Sequence, residues 1–187
     1  HVLQRVDKGL ETLERRLPFG RDALLSWSPV TGQHADGRGM TLAGLCHAAV
    51  TVSDNAAANL ILKTLGGPAG LTAFARQHGD TVTRLDRWEP ELNQALPGDE
   101  RDTSSPRAMA GLLRELVLGQ ALSAAGRRQL TEWLQATETN RKRLAAGLPA
   151  GWRVGSKTGT GDQGTTNDVG VYSPAGRPPL VVAVFLT

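Results

Sequence analysis

A change of pattern at Pro149 does most to limit how this chain can fold. Up to residue 136, apolar residues recur at the three- and four-residue spacing of amphipathic helices; beyond Pro149, Val, Thr and aromatic residues predominate. Segments 152–160, 165–172 and 179–187 read as strands, with Gly161 and Pro174-Ala175-Gly176 as turn material, which predicts an antiparallel meander. A helical body followed by three strands predicts an α/β (α+β) protein in two structural parts. These are a mainly helical domain over residues 1–138 and an antiparallel strand portion over 139–187.

Within the helical part, the first predicted helix covers residues 1–8 and stops at Gly9. The next starts behind Thr41 as cap, carries Leu42, Leu45, Ala49 and Val50 on one face, and ends near Ser53. Further helices are expected from Asn55 to Gly66, over 70–78, over 105–118 with Pro106 at an early position, and over 123–136 with Ser123 as cap. A short one is expected over 140–146. Residues 15–39 are rich in Gly and Pro, and 84–102 form a polar, proline-bearing loop whose ends hold Arg84 and Asp102 as candidate ion-pair partners.

At 187 residues the chain can bury a substantial core, and 40% hydrophobic with 21% charged residues is ordinary for a globular protein. No apolar run approaches the length that crosses a bilayer. The 21 basic and 18 acidic residues are scattered and aromatic residues make up 4%, so neither a basic block nor a stacking platform suggests nucleic acid. The single cysteine, Cys46, excludes a disulfide within these residues. The chain opens at His1 in what reads as mid-helix, without Met or a cap, as a cut boundary would.

Three polar signatures carry chemistry. Ser53-Asp54-Asn55 falls where one helix ends and the next begins, a place where Ser, Asp and Asn commonly serve only as caps. Lys157-Thr158-Gly159 lies in the alternating run Trp152 to Gly161, a strand carrying a lysine and a hydroxyl. An acyl transfer needs a hydroxyl to pass a proton to the leaving nitrogen and a cation to bind a substrate carboxylate, and Ser53 and Lys157 supply these. Between the two lies Arg87-Trp88-Glu89-Pro90-Glu91-Leu92-Asn93, in which Glu89 and Asn93 can hold a water for the hydrolytic step.

In this order and spacing the three motifs resemble those of class A β-lactamases, along essentially the whole chain. The resemblance implies the β-lactamase/transpeptidase-like fold, here incomplete: a helical domain and an antiparallel sheet flanked by helices. It implies catalytic roles for Ser53, Glu89 and Lys157, and substrate binding by Asn55, Asn93, Thr158, Gly159 and Thr160, the last through its backbone N–H in the oxyanion hole. Trp27 resembles the aromatic that borders the family's cleft. Arg143 stands in for the carboxylate-binding arginine, because Thr166-Asn167 occupies its place on the following strand. Cys46 matches a position that pairs in some members with a cysteine that would precede His1, and a free buried cysteine is equally consistent.

No metal and no cofactor are implied, and the expected partner is a β-lactam bound by a monomer in the periplasm or outside the cell. The family's Ser-x-x-Lys is absent from these residues, so the nucleophile is expected roughly ten residues before His1, and the fragment alone is expected to be inactive. The competing readings are a penicillin-binding D-Ala-D-Ala peptidase, which lacks the Glu89 loop, and a non-catalytic β-lactam-binding fragment.

Overall fold

The computed structural model describes residues 1–186. In chain order its elements are α1 (Val2–Asp7), β1 (Arg16–Leu17), β2 (Met40–Thr41), α2 (Leu42–Thr51), α3 (Asn55–Thr64) and α4 (Gly67–Gln77), then α5 (Pro106–Val117), α6 (Ala124–Gln135), β3 (Arg153–Thr160), β4 (Thr166–Ser173) and β5 (Leu180–Leu186). Local chemistry sets the helix starts. Thr41, Asp54, Ser105 and Ser123 each accept a backbone N–H of the first turn of α2, α3, α5 and α6, relieving donors that have no partner inside the helix. Pro106 opens α5 where its missing N–H costs nothing.

α2 is the hub of the helical body. One side of it places Leu42 and Cys46 among Val2, Leu3, Leu122 and Trp133, and another packs Leu45 and Ala48 with Phe19, Met40 and Ala57. Leu42 and Leu45 are wholly inaccessible, so truncating either to Ala would cost about 3 kcal/mol in lost burial and residual cavity. A third cluster of Val117, Leu134 and Val171 joins α5 and α6 to β4. α6 thus belongs to both the helical core and the layer beneath the sheet.

The sheet has the order β3-β4-β5, antiparallel throughout, with Lys157 opposite Val169, Thr158 opposite Asp168 and Thr160 opposite Thr166. β3 is the strand against which α6 lies, and the approach needs glycine: a Cβ on Gly155 would stand 3.0 Å from the Leu134 Cβ and the Gln135 nitrogen. Among the described residues β3 is also an edge strand, with β4 as its one partner.

Most expected elements are observed within a few residues. The strand expected over 179–187 is β5, and Thr187 lies outside the described residues. Two expectations are corrected. Residues 140–146 form a run of turns instead of a helix, because their polar groups bond to the sheet beside them. The ends of the 84–102 loop are not joined by Arg84 and Asp102: Arg84 pairs with Asp86 at 2.6 Å, and Asp102 takes Arg87 at 2.5 Å. Asp86 takes a guanidinium two residues away and Asp102 one from the opposite end of the loop, so each carboxylate meets the guanidinium that the fold of the loop aims at it.

Candidate active site

Ser53 is held in an unusual backbone state. Its φ is +57°, in the left-handed region that costs a non-glycine residue about 1 kcal/mol. The surroundings over-determine it. Asp54, fully buried, caps α3 through the Ala57 N–H at 2.9 Å and also accepts the Val30 and Thr31 N–H groups and the Thr31 hydroxyl. Trp27 brackets the turn, donating its indole N–H to Val52 O at 2.9 Å and accepting the Asn55 N–H on its backbone carbonyl at 3.0 Å, while the residue stays 55% exposed. In Ser53-Asp54-Asn55 the capping role belongs to Asp54, which leaves the Ser53 hydroxyl free for another partner.

That partner is Lys157. Its ammonium donates to Ser53 Oγ at 2.5 Å and to Thr158 O at 2.7 Å. Burial pushes the Lys157 pKa down to about 8, against the pull of the Glu89 and Asp168 carboxylates, and Arg143 lowers it further. The lysine therefore remains mostly charged at neutral pH but gives up a proton more readily than a solvated one.

Glu89 enters from the 84–102 loop. Asn59 on α3 clamps its backbone on both sides, donating to Glu89 O at 2.9 Å and accepting the Glu89 N–H at 3.0 Å. Asn93 donates to the Glu89 carboxylate at 2.6 Å. Burial raises the Glu89 pKa above the ordinary carboxylate value, while the Asn93 bond and the Lys157 charge oppose the shift. A carboxylate raised in this way is the more willing to take a proton from water. Asn55, Asn93 and Thr160 line one cleft of about 640 Å³ with Arg87, Glu91 and Asp162. A hollow of similar size lined by Arg5, Glu11, Arg15 and Lys63 shares no residue with it and holds none of the residues expected from sequence.

The loop itself is stapled from within. Asp102, whose side chain is 2% exposed, accepts the Asp86 and Arg87 N–H groups and the Arg87 guanidinium, and Arg87 also reaches Gln94 at 2.7 Å. At its far side the loop meets the sheet where Asn93 O accepts the Asp162 N–H at 2.9 Å.

Arg143 closes the other end. It lies on the turn segment 138–147 and donates to Gly159 O and Asn167 O, each at 2.7 Å, and to the Thr160 hydroxyl at 2.7 Å. Thr139 and Thr158 share a hydroxyl bond at 2.6 Å. The structure thus brings Arg143, Thr158, Gly159 and Thr160 together beside Lys157. Sequence reasoning passed over Asn59, Thr139 and Asp168. Asn59 was findable, since it stands one helical turn after Asn55 on the same face. Asp168 announces itself only as an acid in a strand otherwise rich in Val, and Thr139 gives no signal.

A serine–lysine pair with a raised glutamate within electrostatic range of the lysine is an arrangement suited to acyl transfer. The chain matches the model of the beta-lactamase enzyme family over residues 1–187. It is 54% identical over 185 residues to the carbapenem-hydrolyzing β-lactamase KPC of Klebsiella oxytoca, covering 98% of this chain and 63% of that protein. The solved structure of an ancestral (GNCA) class A β-lactamase superposes with a TM-score of 0.97 at 63% identity, covering 100% of this chain and 71% of that one. The chain belongs to the class A β-lactamase family, and it spans 63% of the length of the curated relative.

Proposed function

We propose that the protein carrying this chain is a serine β-lactamase that opens the β-lactam amide through an acyl-enzyme, and so confers antibiotic resistance. The nucleophilic serine is contributed from outside these 187 residues, which contain no Ser-x-x-Lys. Its oxygen attacks the β-lactam carbonyl, and the carbonyl oxygen is stabilised by the Thr160 N–H together with the nucleophile's own N–H. The C–N bond breaks as Ser53 passes its proton to the leaving nitrogen and regains one from the attacking hydroxyl, a net transfer from nucleophile to nitrogen that Lys157, 2.5 Å from Ser53 Oγ, favours electrostatically. Lys157, Thr158 and Arg143 bind the substrate carboxylate, with Asn55, Gly159 and Trp27 bordering the acyl portion. Glu89 and Asn93 then hold a water; Glu89 takes its proton as the oxygen attacks the ester, and that proton passes on to the serine oxygen as it leaves, restoring the Glu89 carboxylate.

The observation that carries this reading is the juxtaposition of Ser53 and Lys157 with a Glu89 fixed by Asn59 and Asn93. The held glutamate also separates it from a D-Ala-D-Ala peptidase, whose acyl-enzyme persists. Turnover of a chromogenic cephalosporin tests the activity. Glu89→Ala should then slow deacylation by about a hundredfold or more and leave an acyl-enzyme visible by intact mass. Unchanged turnover in that variant overturns the role of Glu89, and persistent acylation of the unmutated protein favours the peptidase.

The protein works as a monomer in the periplasm or outside the cell, with residues 1–138 and 139–187 as its helical and strand parts. Sedimentation and cell fractionation check the first two, and a dimer or a cytoplasmic pool would contradict them. Among the described residues no helix is long and apolar enough to cross a membrane.

A further inference from the structure

Behind the cleft lies a carboxylate that the proposed reaction does not use. Asp168 on β4 is 3% exposed, stands opposite Thr158 in the sheet, and accepts the Leu144 N–H on Oδ2 at 3.1 Å. Its other oxygen makes no hydrogen bond of normal geometry among the described residues, although the Ser156 hydroxyl faces the carboxylate. Burial raises its pKa, and Arg143 and Lys157 pull it back. Leaving a carboxylate so buried and only partly bonded is costly, so a strand needing only a polar side chain here would be better served by a neutral one.

Its neighbours on the same face show what it holds. Tyr172, two face-repeats further along β4, donates its hydroxyl to Leu144 O, so that β4 grips both backbone groups of Leu144. Between them Gly170 leaves room for Ser156: a Cβ there would stand 2.6 Å from the Ser156 Cβ. Ser156 in turn accepts Asn140 at 2.9 Å, and its carbonyl accepts the Thr137 hydroxyl at 2.5 Å. The segment 138–147 is therefore strapped to one face of the sheet at Asn140 and Leu144, and Arg143 is the residue immediately before the second anchor.

We propose that Asp168 is a positioning residue for recognition of the substrate carboxylate: by fixing the strap at Leu144 it keeps Arg143 at the Gly159–Thr160 end of β3, beside Lys157. The inference rests on the proposed β-lactamase reading and names how that site selects an anionic substrate. Asp168 touches no substrate itself. Its charge also faces both cations of the pocket, Lys157 from β3 and Arg143 from the strap, and so offsets their mutual repulsion.

The test compares a penicillin carrying its free carboxylate with the methyl ester of the same penicillin, in the full protein and in D168A and D168N. D168A removes the anchor and the charge; D168N keeps an acceptor for Leu144 and removes the charge alone. The expected result is about a tenfold rise in KM for the free acid in D168A, with kcat little changed and the ester unaffected, the size of one lost charged hydrogen bond. D168N should show a smaller loss of the same preference, and carries the test where D168A does not fold. Backbone amide exchange at Leu144 should quicken in D168A. Equal losses on acid and ester, or an unchanged acid-to-ester preference with unchanged Leu144 exchange, overturn the proposal. An unmutated protein that neither acylates nor hydrolyses either compound overturns the β-lactamase reading instead, and that outcome is read before any variant is compared.

Discussion

Two irregular segments flank the cleft, and they are held by different means. The 84–102 loop is tied largely to itself: Arg87 to Asp102, Arg84 to Asp86 and Arg101 to Asp99, with Asn59 and Thr72 as outside clamps on the backbone of Glu89 and Leu85. The 138–147 strap has no such ion pairs among the described residues and takes its shape from the face of β3 and β4, through Ser156, Thr158, Asp168 and Tyr172. The electrostatics follow the same division. Arg84 holds Asp86 down at about 2 and Arg101 holds Asp99 well below the usual carboxylate range, whereas burial drives Asp168 upward. One segment supplies the groups that stabilise it, and the other borrows them.

The largest test of this contrast is Asp102→Ala. It strips Arg87 of a buried partner and leaves two loop amides without an acceptor, which should cost about 3 kcal/mol or more in urea unfolding, as breaking a buried pair does. A loss below about 1 kcal/mol would mean that the loop is held mainly from outside. Next is Tyr172→Phe, which deletes one strap bond and should cost about 1 kcal/mol, with faster amide exchange within 138–147 and none in the loop. Quickened exchange in both would join the two segments into one unit.

Acid should separate the segments with little energy involved. Asp168 has a raised pKa, so as pH falls it takes up a proton in the folded state before an unfolded carboxylate would; this protonation favours folding while removing the charge that faces Lys157, Arg143, Ser156 and Tyr172. Asp86 has a depressed pKa, so its contribution is present above 3.8 and is lost as pH falls towards about 2. As the pH is lowered, carboxylate chemical shifts should thus show Asp168 titrating before Asp86; the reverse order would refute the division. On the alkaline side, affinity for an anionic β-lactam should fall as pH rises through about 8, where Lys157 loses its charge. A binding profile flat to pH 10 would show that Arg143 alone carries the recognition.

What was readable in the sequence mirrors the same contrast. The stapled loop is legible in its polarity and its prolines, and only the expected pairing of Arg84 with Asp102 fails, because several partners lie within reach along so short a stretch. The strap was read as a helix, since Arg141 to Ala146 carries good helix formers. Its polar groups found better partners on the sheet, and such tertiary bonds outweigh the few tenths of a kcal/mol per residue that propensity supplies. Ser53, Lys157 and Glu89 were legible because their chemistry needs particular residue types in a fixed order. Asn59 and Asp168 were not singled out, because what each does depends on a neighbour far away in the chain.

By itself the sequence determined the periodicity of the helices and strands, the capping of α2 by Thr41 and of α6 by Ser123, the meander, and the residues able to perform acyl transfer. These depend on spacings within a few residues and on the chemistry of single side chains. Only the tertiary structure decided that Lys157 would meet Ser53 across 104 positions, that Asp54 rather than Ser53 would serve as the cap, and that a buried aspartate would anchor the segment bearing Arg143. Those outcomes depend on which groups are excluded from water together, and burial of that kind is a property of the packed whole.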